Sequence, residues 1–407
     1  MKSNIKYFFL SALLLTTYAN KSYSQIDSSA YKQIVDKINT AKTIYAPDKR
    51  TKFIELSGVN IPKNEYEIQS TEKNAIDYLS KELKNTQSTI TYSLLPDSTV
   101  QGKKIGVINL SVANIRTKPG HGSEMATQAI LGTKVDILQK SKGEYRVRTP
   151  EGYIAWVPTS SVAAFNAAEF EKWNNADKII YTTEFGKSYS KADKKSLRVS
   201  DLVYGNILAL TKETKGFYEV KYPDGRIAFI PKEEAISFEK WVNSRKLTEE
   251  NVLSSAKTML GLPYLWGGTS VKGVDCSGFT KTSYFMNGYI IPRDASQQVL
   301  AGDKVEILGA DGNFDSAIAL KNLKPADLLF FAAGKANNPN ARVTHVALYL
   351  GNGEFIHSAG TVRINSMLKD AANYDDFQTR TVVAARRYIG SSDTQIQKIK
   401  DNSYYKK

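Results

Sequence analysis

The chain has 407 residues, 42% of them apolar and 24% charged, with a formal net charge of +14. That length suits two to four domains with at least one large core. Lys and Glu alternate along the chain instead of gathering in a basic stripe, which argues against nucleic acid as the partner, and only residues 398–407 are locally basic.

Lys2 and Lys6 precede an apolar run from about Tyr7 to Leu15, and small residues at Ser22 and Ser24 come before Gln25. This is the layout of a secretory signal peptide over residues 1–24. The run falls short of the roughly 20 apolar residues a membrane span needs, and no cysteine follows it to carry a lipid. A secreted or periplasmic protein is expected, with no integral membrane segment after cleavage. Losing Lys2, Lys6 and Lys21 with the leader lowers the charge from +14 by three, to about +11.

Tyr31, Ile34, Val35, Ile38, Ala41 and Tyr45 recur at helical spacing before Pro47, and a second helix is expected over about 70–83, with Thr71 as its cap and Ile76, Leu79 and Leu83 on one face. Residues 25–100 therefore read as an N-terminal helical segment. They carry no motif of their own.

An internal repeat comes next. Residues 142–158 (KGEYRVRTPEGYIAWVP) are echoed by residues 215–231 (KGFYEVKYPDGRIAFIP), each copy being a period-2 strand, a Pro-Glu-Gly or Pro-Asp-Gly turn and a second strand. Each then runs into Phe-Glu-Lys-Trp, at 170–173 and 238–241. Two small β-barrels are expected, over 101–168 and 169–243. Either alone could be a spacer that buries its aromatics in its own core. The copies differ at Tyr153, which faces Arg226 in the repeat, an asymmetry that substrate contact or drift would each produce. His121, in the loop 119–124, reads as a solvated bystander.

Thr248 caps a helix whose first turn holds Glu249 and Glu250, and whose apolar face is Val252, Leu253, Ala256, Met259 and Leu260. A Tyr-Leu-Trp-Gly-Gly loop at 264–268 leads to Gly-Val-Asp-Cys-Ser-Gly-Phe at 273–279, and a further helix. Cys276 is the only cysteine of the chain. An unpaired thiol in an exported protein suggests chemistry more than structure. Its place at a helix N-terminus should lower its pKa and offer backbone amides to an oxyanion. Strands are expected at about 328–332, 345–350 and 354–358, with a turn at 351–353. If that loop has three residues, 357 lies across from 347, so His345 and His357 share a face. His345 would be the base and His357 its orienting partner. Zinc is the competing use of one Cys and two His, but it would need further ligands, and the spacing is not that of a zinc motif. No metal or other cofactor is expected.

Several blocks in order carry a resemblance: Pro-Tyr-Leu-Trp-Gly-Gly at 263–268, Asp-Cys-Ser-Gly-Phe at 275–279, Ile-Pro-Arg-Asp at 291–294, Lys-Pro-Ala-Asp-Leu at 324–328, Thr-His-Val-Ala at 344–347 and Phe-Ile-His at 355–357. They resemble the NlpC-type cell-wall cysteine peptidases over roughly 245–390. The Val-Ala-Asn-Ile-Arg-Thr-Lys-Pro entry at 112–119 is similar to bacterial SH3-like barrels. The resemblance implies an α+β fold with a papain-like C-terminal domain (244–391), preceded by two SH3-like barrels and the helical segment, and followed by a basic tail (392–407).

It also implies Cys276, His345 and His357 as catalytic residues, with Tyr264, Asp275 and Ser277 at the substrate. Glu124 and Tyr153 of the first barrel are the best matches to an acidic residue and a tyrosine that close the pocket. Glu124 and Asp275 would pair with an ammonium. The subgroup often has Ser directly after the Arg-Asp of the fourth block, where this chain has Ala295 and then Ser296. The implied activity is cleavage between γ-D-Glu and the diamino acid of murein stem peptides with a free N-terminal L-Ala. Two rivals are an endopeptidase acting on intact wall through wall-binding barrels, and an inert wall-binding protein.

Overall fold

The computed structural model describes residues 29–333, 342–375 and 380–406. The expected signal peptide lies outside them. The first apolar period gives α1 (Ser29–Tyr45), which buries Ile34, Ile38 and Ala41. Beyond α1 the N-terminal segment is a mixed α/β unit, not the purely helical one expected. Strands β1 (Ile54–Asn60) and β2 (Glu65–Ser70) precede α2 (Lys73–Glu82), and β3 (Thr89–Leu94) comes after it. β2 pairs antiparallel with β1 and parallel with β3, α2 forming the crossover. Tyr66 and Ile68 alternate inward to meet Ile34, Ile38, Ala75 and Leu79 in one small α/β core. Thr71 does not cap α2: its hydroxyl accepts from the Phe53 amide at 3.1 Å, tying the helix approach to β1.

The first repeat copy folds as β4 (Ile105–Ile108), β5 (Val112–Arg116), β6 (Met125–Ile130), β7 (Lys134–Ser141), β8 (Glu144–Arg148), β9 (Ile154–Pro158) and β10 (Val162–Phe165), then α3 (Ala167–Asn175). The second gives β11 (Lys178–Tyr181), β12 (Phe185–Tyr189), β13 (Arg198–Val203), β14 (Ile207–Glu213), β15 (Phe217–Lys221), β16 (Ile227–Pro231) and β17 (Ala235–Ser237), then α4 (Phe238–Ser244). The two hairpins have equivalent registers, Arg148 opposite Ile154 and Lys221 opposite Ile227. Each copy is one seven-stranded sheet curled round its own core. Neither ladder closes among the described residues, so these are SH3-like sheets and not closed barrels. In the first, β6 stands at one end of the ladder, and the open edge is covered: Gln128 on β6 receives the Thr269 amide at 3.0 Å on Oε1 and the Thr269 hydroxyl at 3.1 Å on its carbonyl.

The C-terminal domain opens with α5 (Glu249–Lys257), capped by Thr248, and the short hairpin β18 (Thr269–Ser270) and β19 (Gly273–Val274). Then come α6 (Cys276–Met286), β20 (Tyr289–Ile290), α7 (Ala295–Gln298), β21 (Asp303–Val305), α8 (Ser316–Asn322), β22 (Leu328–Ala332), β23 (Val343–Gly351), β24 (Glu354–Ala359), β25 (Thr361–Ser366) and β26 (Thr381–Arg387). Six strands form one antiparallel sheet in the order β21-β26-β22-β23-β24-β25. α6 packs with Val346, Leu348 and Ile356 on one face, while Ala347, Tyr349 and Phe355 fill the other.

The tail is not a loose basic strand. β27 (Gln397–Lys398) pairs with β20, and Tyr405 packs with Trp241, Phe238 and Phe285 in a core shared by the second SH3-like sheet and the peptidase. Tyr404 donates to Asp136 of the first sheet at 2.6 Å. The last residues thus clasp three units together.

Candidate active site

Asp275 is the N-cap of α6, and its carboxylate organises the turn that carries Cys276. It accepts from the amides of Gly278 at 2.6 Å and Gly267 at 3.0 Å, from the Ser277 hydroxyl at 3.2 Å, and from Arg293 at 2.7 and 3.1 Å. Two carboxylate oxygens offer about four lone-pair sites, so Asp275 is already committed to the protein. Its pairing with a substrate ammonium, expected from the sequence, would displace one of these donors; the geometry gives it a positioning role. Gly278 is required there, because a Cβ would stand 1.9 Å from the Gly268 carbonyl oxygen.

Arg293 is 1% exposed and also donates to Thr127 Oγ1 of the first SH3-like sheet at 2.8 Å and to Ser277 Oγ at 3.0 Å. Its block was visible in the sequence, but this clamp was not. Removing one member of a buried, hydrogen-bonded ion pair costs about 3–5 kcal/mol, so the turn is held stiffly. Ser277 has its hydroxyl turned inward to Asp275 and Arg293.

Cys276 is 7% exposed, and its Sγ lies 3.9 Å from the Thr344 carbonyl oxygen, beside the backbone that carries His345. Burial, then the Asp275 charge, pushes the thiol up to about 12, against the opposing Val346 amide and Arg293. The lowered pKa expected from the helix end does not hold: burial of the sulfur, with the Asp275 charge beside it, outweighs the positive end of the helix. Burial also holds His345 well below 6.5, with His357, Arg380 and Arg363 adding to it. Both shifts favour the neutral forms, thiol and imidazole.

The two histidines meet as the register argument expects, by a different route. Gly351 pairs with Glu354 around a two-residue Asn352-Gly353 turn, which alone would set 357 opposite 348. A bulge between Tyr349 and Gly351 shifts the ladder to Leu348 opposite Ile356, the register whose extension sets 347 across from 357. His345 Nε2 then lies 2.8 Å from His357 Nδ1, and His357 Nε2 lies 3.0 Å from Asn365 Oδ1. The Asn365 amide nitrogen donates to the Asn373 carbonyl at 3.0 Å, so its oxygen must face His357. His357 is therefore protonated on Nε2 and accepts on Nδ1 from His345 Nε2–H. The lone pair of His345 is left on Nδ1, free to accept a proton. Asn365, unmarked in the sequence, sets the tautomers of both rings.

Tyr264 is partly buried on the loop before the cysteine; burial, then Cys276 and Asp275, hold its phenol above the usual range. Glu124, on the loop before β6, is exposed and accepts from Trp266 Nε1 at 3.0 Å. Trp266 is itself 61% exposed, so the two form a rim across the seam between the first SH3-like sheet and the peptidase. Tyr153 sits in the first sheet's core, and its hydroxyl reaches Asp294 at 3.4 Å, at the head of α7. Its repeat counterpart Arg226 instead donates to the Asn109 carbonyl, between β4 and β5, at 3.0 Å. The asymmetry of the repeat thus corresponds to a difference in contact.

Residues 261–383 match the model of the NlpC/P60 family, and residues 115–162 that of the bacterial dipeptidyl-peptidase SH3 domain. The chain is 32% identical over 248 residues to the gamma-D-glutamyl-L-lysine dipeptidyl-peptidase of Bacillus cereus, covering 58% of this chain and 68% of that protein. The chain belongs to the NlpC/P60 family. A crystal structure of an NlpC/P60 family protein from Bacillus cereus superposes with a TM-score of 0.57 at 25% identity, over 70% of this chain and 99% of the other. Dipeptidyl-peptidase 6 of Lysinibacillus sphaericus is 25% identical over 292 residues, 68% of this chain and 97% of that protein. As an NlpC/P60 peptidase with an SH3-like domain ahead of it, the chain is an enzyme with a papain-like fold.

Proposed function

We propose that this enzyme is a secreted or periplasmic dipeptidyl-peptidase that hydrolyses the bond between γ-D-Glu and the diamino acid in murein stem peptides bearing a free N-terminal L-Ala. The observation that carries it is the rim carboxylate. Asp275 is matched by Arg293, and Asp294 is held by Arg50, whereas Glu124 has only the neutral Trp266 indole as its hydrogen-bond partner among the contacts described. A carboxylate so placed, on a domain that reaches over the peptidase, suits a substrate ammonium. The names of the Bacillus cereus and Lysinibacillus sphaericus relatives support the same substrate class.

In this reading Cys276 attacks the γ-carbonyl carbon as its proton passes to Nδ1 of His345. The thiol and imidazole start neutral, so this transfer creates the nucleophile when substrate is in place; catalytic hydrogen bonds commonly tighten only then. The amides at the start of α6 receive the oxyanion. The imidazolium, steadied by His357 and Asn365, returns its proton to the leaving amine, and water then releases the dipeptide. Incubation with L-Ala-γ-D-Glu-L-Lys and with its diaminopimelate counterpart, followed by mass spectrometry, should show L-Ala-D-Glu and the free diamino acid. Release of peptides from intact sacculi with no cleavage of tripeptides would replace this reading with that of a wall endopeptidase.

A further inference from the structure

Neither family model reaches the N-terminal α/β unit: they match 115–162 and 261–383. Yet its loop after α1 enters the peptidase. Asp48 takes Nε and Nη2 of Arg50, each at 2.8 Å, and so fixes the guanidinium as a fork. The remaining Nη1 points at α7, 2.8 Å from Asp294 Oδ2 and 2.8 Å from Ser296 Oγ. The loop is pinned on both sides, since the Arg50 carbonyl accepts from the Ile154 amide at 2.6 Å and Asp48 accepts from Gln297 at 2.7 Å.

Asp294 Oδ2 is also the acceptor for the Tyr153 hydroxyl, at 3.4 Å. Its other oxygen lies 3.9 Å from Nη1 of Arg293, the residue that clamps Asp275 and Ser277 on either side of Cys276. Arg50 and Asp294 therefore lie one 3.9 Å charge contact away from the clamp on the residues flanking Cys276. Without Arg50, the Asp294 carboxylate would keep its capping-box contact with the Gln297 backbone, a long bond from Tyr153 and a distant guanidinium, and would lose its one close charged partner.

We propose that Arg50 is a positioning residue for substrate recognition, contributed by the N-terminal unit: it holds the Asp294–Tyr153 corner of the pocket in the shape that accepts the amino end of the stem peptide. This rests on the dipeptidyl-peptidase reading. The contribution is one of geometry as well as charge, because a lysine cannot hold Asp48, Asp294 and Ser296 with one planar fork.

The test is a double-mutant cycle on the full-length enzyme with L-Ala-γ-D-Glu-L-Lys, comparing wild type, Arg50→Met, Asp294→Asn and the double variant, with melting temperatures recorded. Arg50→Met should raise KM about tenfold, the scale of one charge-assisted hydrogen bond, with kcat within about threefold of wild type. Arg50→Lys should recover less than half of that loss on a logarithmic scale. The double variant should be no worse than Asp294→Asn alone. A lower melting temperature with unchanged KM, or losses that simply multiply, would overturn the proposal. Should Arg50→Met fail to fold, Asp48→Ala, which keeps the guanidinium but frees it from its fork, must raise KM in the same direction; an unchanged KM there overturns it too. A wild type that cuts no stem peptide sinks the dipeptidyl-peptidase reading itself, whereas an active wild type indistinguishable from Arg50→Met sinks only this inference.

Discussion

His345 Nε2 sits 2.8 Å from His357 Nδ1, and the bond has a fixed direction because Asn365 holds the far side of His357. A histidine as the third member must be kept neutral and in one tautomer to accept from the base, and burial with the Asn365 oxygen achieves both. His357→Leu should therefore lower kcat by about 10²–10³, within the range attributed to a general base, while His357→Asn, which keeps an acceptor, should lose less. Steady-state kinetics on a stem peptide would show the order reversed if His357 served only to fill space.

The same burial makes the fold sensitive to acid. His357 is pushed down to about 4 by burial and then Arg380, and His345 shifts in the same direction. Below pH 6.5 the unfolded chain takes up protons that the native state refuses, so stability is full above 6.5 and is lost as pH falls through about 4. His357 alone accounts for about 3 kcal/mol across that window, at 1.36 kcal/mol per pKa unit. Urea denaturation of wild type and His357→Gln at pH 7 and pH 4.5 should show a smaller acid loss in the variant. Equal losses would contradict the assignment.

The neutral thiol has a kinetic signature. With burial and Asp275 holding Cys276 up at about 12, the rate of alkylation by iodoacetamide should be slow at pH 6 and climb about tenfold per pH unit to pH 9, following the thiolate fraction. A rate already high and flat between pH 5 and pH 8 would show a preformed thiolate–imidazolium pair. Cys276→Ala should leave the fold intact and reduce turnover more than about a thousandfold.

Arg293→Met should be destabilising in a way no surface arginine is. It strands Asp275, and the expected cost is about 3–5 kcal/mol, read as a drop in melting temperature. Asp275→Asn with Arg293→Met should recover part of that loss, since the stranded charge is gone.

Cys276, His345 and His357 each lie in a short motif that the sequence shows, but the facing of the histidines rests there on strand period with a three-residue loop, and the structure reaches it through a two-residue turn and a bulge. The repeat was legible because both hairpins keep their turn residues. The sheet of the N-terminal unit was hidden because β2 and β3 pair in parallel across a helix, with no turn signal between them. Asn365 and Arg50 act through partners far along the chain, and nothing local marks them; Arg293 lies in a visible block, but its clamp on Asp275 and Thr127 does not show there. The thiol's pKa is not legible for a related reason: the helix end is local, but the burial that outweighs it is a property of the assembled domains.

If the enzyme reads a free amino terminus through the first SH3-like sheet, L-Ala-γ-D-Glu-L-Lys and its N-acetylated form should be cut differently by wild type and by Glu124→Gln. Because Glu124 is exposed, its loss should cost about tenfold in kcat/KM on the free peptide, less than a buried pair would. Acetylation should cost the wild type at least as much and should add little to Glu124→Gln. Equal cleavage of both peptides by both proteins would contradict the account and leave the endopeptidase of intact wall as the better reading.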